Sequence, residues 1–353
     1  MPENEITRVL IYRLGSIGDF VVSLPCFHLI RNHFPTAEIG LLTNYPGESR
    51  AAAAAGVLEG SGLVDQYLSY PLETRSVRVL WGLMRSIRSF DPDLLVYLAN
   101  RGTFTTVFRD YLFFRLNGLT NVVGFPFKRS QRLSLPPRSD GGLWESEAHR
   151  LARCLVQLGP AETERAEGWD LRLSAQEMAE ADRIIADGLK NRSSPPRLIG
   201  VSIGTKQAVK DWGEDNWRKV LEDLKSSSYG LVLIGAAQER DRSTEAARGW
   251  PGPVINLCGR TSPRVSAAAI KRTMLFLCHD SGPMHLAAAV GTRCVAVFSK
   301  HNRPGQWYPF GSGHKILYPP VDAASVMAIR PADVVAAALG ILGEERLAPA
   351  RSN

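Results

Sequence analysis

Short apolar runs alternate with amphipathic stretches along the 353 residues. VLIY (Val9 to Tyr12) reads as a short buried strand and RLGSIGD as a loop, while FVVSLPCFHLIRNHF has helical spacing and stops at Pro35. AEIGLLTN then supplies a second strand, so the segment is a βαβ unit, which implies a parallel sheet. Farther on, Val77 to Ser89 reads as a helix closed by Phe90-Asp91-Pro92, and DLLVYLA and NVVGF as further strands. Residues 126–142, rich in Pro, Arg, Ser and Gly, read as a long, mobile loop.

SEAHRLARCLVQLG is helical and ends at Gly159, and SAQEMAEADRIIADGLK is a second helix with Ser174 as its N-cap. NRSSPP breaks the pattern, and the rhythm restarts with RLIGVSIG. Strand and helix patterns alternate from there through LVLIG, VINLC, MLFLC and CVAVF, and Pro331 to Leu342 reads as a final helix with proline in its first turn. The expected fold is α/β: two Rossmann-like, doubly wound domains covering residues 1–172 and 173–353, with the break inside 160–196. The last helix is a candidate to pack back on the first domain.

Composition narrows this little. The chain is 44% hydrophobic and 22% charged, enough for two ordinary cores, and its formal net charge of +7 favours anionic partners. The N-terminus lacks the order of a secretory signal, and no apolar run approaches the roughly 20 residues that span a bilayer, so a cytoplasmic protein is expected. Cys26, Cys154, Cys258, Cys278 and Cys294 are odd in number and form no CxxC pair, which points to buried reduced thiols and no metal site.

Three loops between a strand and a helix carry candidate chemistry. In HDSGPMHLAAAVG, Gly282 permits close approach of a phosphate, and Pro283 suits a first helical turn whose free N–H groups face the loop. Asp280 and Ser281 serve equally well as plain N-caps, and His285 as a packed histidine. GTKQAVKDWGEDNW brings Thr205, Lys206 and Lys210 before a helix capped near Gly213, and Lys210 could place a point charge on a phosphate or simply be a surface lysine. RLGSIGD has glycines at 15 and 18, lacks GxGxxG and ends in Asp19, a carboxylate better suited to accept a proton than to cradle phosphate, or to cap the helix.

Taken in order, RLGSIGD with FVVSLP, KDW, INLCGRTS and HDSGPMHLAAAVGT resemble glycosyltransferase family 9, the ADP-heptose:lipopolysaccharide heptosyltransferases, from about Arg8 to Phe298. The resemblance implies a GT-B fold, two domains facing a central cleft, with acceptor bound by the first and nucleotide sugar by the second. It also implies inverting transfer of a heptose from ADP-heptose to a saccharide acceptor, the lipopolysaccharide core, without metal or other cofactor. Asp19 matches the family's general base. Lys210, counted with Asp19 as catalytic, and Thr205 match residues on the donor phosphates. Asp280, Ser281 and Gly282 match the diphosphate loop, and Glu239 is similar to the ribose-contacting acid. Lys206 and His285 join the donor set, while Gly15, Ser16, Lys128 and Arg129 are candidates for an anionic saccharide or glycolipid acceptor. Peripheral contact with the cytoplasmic face of the inner membrane is expected.

After CVAVF many members continue Gly-Pro-Thr, whereas SKHNRPGQWYPFGSGHKIL follows here, so Arg303, Trp307 and Tyr308 are candidates to reshape the site. The rival readings are a transferase of the same scaffold using another nucleotide sugar or a small-molecule acceptor, and a catalytically silent nucleotide-binding protein. Nucleic acid is not an expected partner, because basic charge comes without a recognisable motif or interleaved aromatics.

Overall fold

A computed structural model describes residues 6–45, 54–71, 76–99, 102–190, 196–226 and 228–347. The chain divides into two compact units, 1–172 with 304–306, and 173–303 with 307–353. In the first unit, β1 (Arg8–Tyr12), α1 (Ile17–Val22), α2 (Leu24–His33), β2 (Glu38–Tyr45), α3 (Ala55–Leu58) and β3 (Gln66–Pro71) are followed by α4 (Val77–Phe90), β4 (Leu94–Tyr97), α5 (Phe104–Leu116), β5 (Val122–Val123), α6 (Arg129–Arg132) and α7 (Glu147–Cys154). The second unit runs α8 (Ala175–Gly188), β6 (Arg197–Ser202), α9 (Glu214–Leu224), β7 (Tyr229–Leu233), α10 (Arg240–Ala246), β8 (Val254–Asn256), α11 (Pro263–Ile270), β9 (Leu275–His279), α12 (Gly282–Ala289), β10 (Cys294–Val297), β11 (Lys315–Leu317) and α13 (Pro331–Leu347).

Each unit holds one parallel sheet, in the order β3-β2-β1-β4-β5 and β11-β10-β9-β6-β7-β8. The strand runs are apolar without alternation because helices cover both faces. In the first sheet, Leu10, Tyr12, Leu42, Leu95 and Tyr97 form one core with Leu83, Ile87 and Phe90 of α4 and Val107 and Phe114 of α5. Gly40 leaves room for the Phe90 ring, which an added Cβ would meet at 2.7 Å. In both sheets the central strands are those from which the order reverses, and the loops at their carboxyl ends carry the candidate residues.

Several elements differ from the sequence reading. FVVSLPCFHLIRNHF forms two helices, because Pro25 cannot donate into a continuous ladder; the chain turns at Ser23, whose hydroxyl donates to the Asp19 carbonyl. The long loop of 126–142 contains α6, and arginines of α7 hold it: Arg153 donates to the Ser130 carbonyl and Arg150 to that of Gln131. Strands β3 and β11 and helix α5 had no clear periodicity, β3 being a half-polar edge and α5 aromatic on several faces. The final helix extends to Leu347 and buries Val334, Ala338, Ile341 and Leu342 in the second unit's core, against α9, β9 and β10.

Within the first unit, Glu147 and Arg150 form a fully buried, two-pronged ion pair at 2.7 and 2.6 Å. The third guanidinium nitrogen satisfies the Gln131 carbonyl, and the Glu147 N–H donates to the carbonyl of Gln306. Removing one partner strands the other charge in the core. Glu147→Ala is therefore expected to cost about 3–5 kcal/mol in equilibrium urea unfolding. The double replacement Glu147→Leu with Arg150→Met should lose much less.

Candidate functional site

In the first unit, the loop after β1 is pinned from three sides. The Gly15 N–H donates to Asn44 Oδ1 at the end of β2 (2.9 Å), and Arg13, wholly buried, donates to the Leu98 carbonyl beyond β4 (2.8 Å) and to the Asp19 carbonyl (3.0 Å). Asp19 is not at the N-cap; Ser16 is, and Asp19 is the third residue of α1, in its first turn. Its Oδ2 accepts from the Ser16 N–H (2.8 Å) and hydroxyl (3.0 Å), while Oδ1 faces the Arg13 guanidinium at 3.5 Å. Gly15 has φ +141°, and a Cβ there would sit 2.4 Å from the Asp19 side chain, so glycine is required for the carboxylate to fold back over the loop. The side chain remains 26% exposed, so a substrate hydroxyl can reach it. Gly15, Ser16 and Asp19 are thus brought together. Lys128 and Arg129, both exposed, lie in and before α6 and share no hydrogen bond with that cluster.

In the second unit, the candidate residues come from four strand ends. Lys210, beyond β6, places Nζ 2.7 Å from Asp280 Oδ2, beyond β9, with side chains only 12% and 4% exposed. Asn302, beyond β10, donates to the same oxygen at 2.7 Å. Asp280 therefore does not cap α12. Ser281 occupies the cap position but makes no side-chain capping bond, its hydroxyl donating instead to the His279 carbonyl, and Pro283 lies in the first turn. The first N–H groups of α12 are left without a side-chain partner, and the dipole favours an anion there. Met284 N–H turns back, to the Ser281 carbonyl.

Glu239, beyond β7, accepts from the Ala236 N–H at 2.7 Å. Added Cβ atoms would lie 1.7 Å from its carboxylate at Gly204 and 2.4 Å at Gly235, so two glycines at neighbouring strand ends clear one space for one carboxylate. Thr205 is half-buried and accepts from the Gln207 N–H, Lys206 is exposed, and His285 is buried with its ring 6.3 Å from that of Trp307. Tyr308 packs edge-on against Phe298, whereas Arg303 is exposed.

The sequence reading missed the support behind Lys210. His279 Nε2 accepts from the Trp212 backbone N–H (3.0 Å) and from the Trp217 indole (3.3 Å), which fixes Nε2 as the unprotonated nitrogen. Asp211 takes two bonds from Arg242 at 2.8 Å; burial opposes its ionisation, but Arg242 and the Gly213 N–H outweigh it and hold its pKa below the ordinary carboxylate value. The two residues that follow Lys210 in KDW are thereby anchored, Asp211 to α10 and Trp212 to β9. Asn302 falls in the stretch that departs from the family pattern, so no motif could reveal it. All five cysteines are buried and free of disulfides.

Two parallel sheets in two units, with candidate ligand residues at their carboxyl ends, form a fold of the GT-B type. The sequence model of glycosyltransferase family 9 (heptosyltransferase) matches residues 148–322, and this stretch of the chain belongs to that family. It is 34% identical to lipopolysaccharide heptosyltransferase 3 of Escherichia coli K12 over 96 residues, 26% of this chain and 28% of that relative. The first curated relatives matched are covered over only 28% to 37% of their own length. Among solved structures, a family 9 glycosyltransferase from Veillonella parvula superposes with a TM-score of 0.73 at 19% identity, over 96% of this chain and 98% of that one. The E. coli ADP-heptose lipopolysaccharide heptosyltransferase II gives 0.68 at 18%, over 96% and 100%.

Burial pushes the His279 pKa down to about 4 from 6.5. Between those two values the unfolded chain binds a proton that the folded chain resists, so stability present above pH 6.5 is lost as pH falls toward 4. Wild type should lose on the order of 3 kcal/mol more than His279→Gln over that window, read from urea midpoints at stepped pH.

Proposed function

We propose that this chain transfers a heptose from ADP-heptose to a saccharide of the lipopolysaccharide core, with inversion and without a metal. The observation that carries the reading is the Lys210–Asp280–Asn302 cluster beside the uncapped start of α12, at the carboxyl end of the second sheet. The diphosphate would lie on the α12 N–H groups and Gly282, with Thr205, Lys206 and the remaining Lys210 protons on its oxygens, and the ribose against Glu239. Donor preference in the relatives supports the sugar: the solved E. coli relative is an ADP-heptose enzyme by description.

Asp19 acts as general base. Its Oδ1, turned from the Ser16 bonds, takes the proton of the acceptor hydroxyl as that oxygen attacks the anomeric carbon. The glycosidic C–O bond breaks on the opposite face, its electron pair leaves with ADP, and charge grows on the diphosphate. Fixed N–H groups and Lys210 stabilise that charge most in the transition state. Gly15 and Ser16 hold the base in place, and Lys128 and Arg129 would meet anionic groups of the acceptor. The protein works at the cytoplasmic face of the inner membrane, held peripherally.

A second reading, another nucleotide sugar or acceptor on the same scaffold, is favoured by one observation: Asn302 and Trp307, both in the departing 299–318 stretch, touch Asp280 and His285. Calorimetry with ADP, UDP, GDP and ADP-heptose separates the two. ADP and ADP-heptose should bind and the other nucleotides should not; preference for UDP or GDP would establish the second reading. Asp19→Asn should leave ADP affinity unchanged while lowering turnover about 10²- to 10⁴-fold. Lys210→Gln should weaken donor binding and slow transfer by roughly a hundredfold or more, and should also lower the thermal midpoint, because the buried Asp280 carboxylate loses its cation. Near-normal turnover in either variant would remove that residue's role.

A further inference from the structure

Helices α4 and α5 lie on one face of the first sheet, because Leu83, Ile87 and Phe90 of one and Val107 and Phe114 of the other share a single core. Their outward faces are unusual. Along α5, Phe104, Phe108, Leu112 and Leu116 recur every four residues and are 49%, 44%, 44% and 75% exposed, forming a continuous apolar ridge. The Phe104 and Phe108 rings stack on each other at 5.9 Å. On α4, Trp81 is 62% exposed with Val77 one turn before it.

Within the two helices the exposed charge has one sign. Helix α4 contributes exposed Arg78, Arg85 and Arg88 and no acid. Helix α5 contributes exposed Arg109 and Arg115, and its lone acid, Asp110, is buried and held by Tyr97 and Arg109. Arg132 sits over the Phe104 ring at 5.6 Å. Isolated exposed apolar residues need no explanation, but four in register along one helix, with arginines among them, do.

We infer that this α4–α5 face docks on the surface of an anionic phospholipid bilayer. The ridge and Trp81 would enter the headgroup boundary, where an amphipathic ring is favoured, while the arginines meet lipid phosphates. A second copy of the chain is a poor occupant, since a two-fold contact would set arginine against arginine. Among the described residues no helix is long and apolar enough to cross a membrane, so attachment of this kind is superficial and salt-sensitive. The inference rests on the proposed peripheral attachment and adds the surface that makes it; it does not depend on which sugar is transferred.

The test is flotation of the full chain with vesicles of phosphatidylethanolamine and phosphatidylglycerol, beside vesicles of phosphatidylcholine alone. Binding is expected to the anionic vesicles, to fall several-fold at 0.5 M salt, and to drop at least tenfold in Phe108→Ser with Leu112→Ser. If that double variant is misfolded by circular dichroism, quenching of tryptophan emission by brominated lipid, abolished in Trp81→Phe, gives the same reading in an intact chain. No partition into anionic vesicles would overturn both the surface and the peripheral attachment. Partition unchanged by the double variant and without Trp81 quenching would overturn the surface alone, as would a dimer that the double variant dissociates. Nucleotide binding by calorimetry, measured on the same samples, reports separately on the transferase reading.

Discussion

The organisation of the second unit depends on one buried ion pair. A carboxylate and an ammonium withdrawn from water repay their desolvation only when geometry is good and the remaining polar atoms are met. Asp280 satisfies this by taking Lys210 and Asn302 on a single oxygen, which ties together the loops after β6, β9 and β10. The consequence lies one residue on. With Asp280 committed to Lys210, the natural capping acid of α12 is diverted, and the helix begins with its N–H groups unclaimed by any side chain. A strand-to-helix turn that could have been merely capped is left open to the diphosphate of the proposed donor.

The first unit solves a related problem with the signs exchanged. There the wholly buried group is a cation, Arg13, neutralised by two carbonyls and by the proximity of Asp19. Because Arg13 is fixed by β4 and Gly15 by β2, the acid is positioned by the sheet itself and not by a free loop. Precision of this kind is what a general base needs, since proton transfer demands hydrogen-bond distance to a substrate hydroxyl. Placing it in the first turn of α1 also makes Asp19 favourable to the helix dipole, so the structural demand coincides with that of the proposed base.

The alternation of apolar runs made the two α/β units legible because fully covered parallel strands leave an unmistakable signal, as in VLIY, MLFLC and CVAVF. The loops were legible as well, since glycine, proline and acid at a strand end have few uses. What escaped were elements whose stability comes from neighbours: the edge strand β3, the three-residue β11, and α5, whose exposed aromatics blur the helical period that buried Val107 and Phe114 would otherwise show. The short α6 escaped for the same reason, being held by arginines of α7 across about twenty residues of chain. At the site, Lys210 and Asp280 were both visible in the sequence, but each was assigned to phosphate. That they pair with each other is a fact of three-dimensional distance that no spacing encodes.

That pairing changes how Lys210 can act in the proposed reaction. An unpaired lysine would attract the diphosphate of the bound donor almost as strongly as that of departing ADP, and interactions equal in both states do not lower the barrier. A lysine already neutralised by Asp280 gives up less to the bound donor, and its remaining protons gain most when charge accumulates on the leaving oxygen. His279 reinforces this. Its neutral imidazole, held by Trp212 and Trp217, keeps the KDW turn rigid without adding a second positive charge beside the pair. The stationary cation, the diverted cap and the neutral histidine thus form one device, in which a buried charge pair is kept close to balance until the leaving group unbalances it.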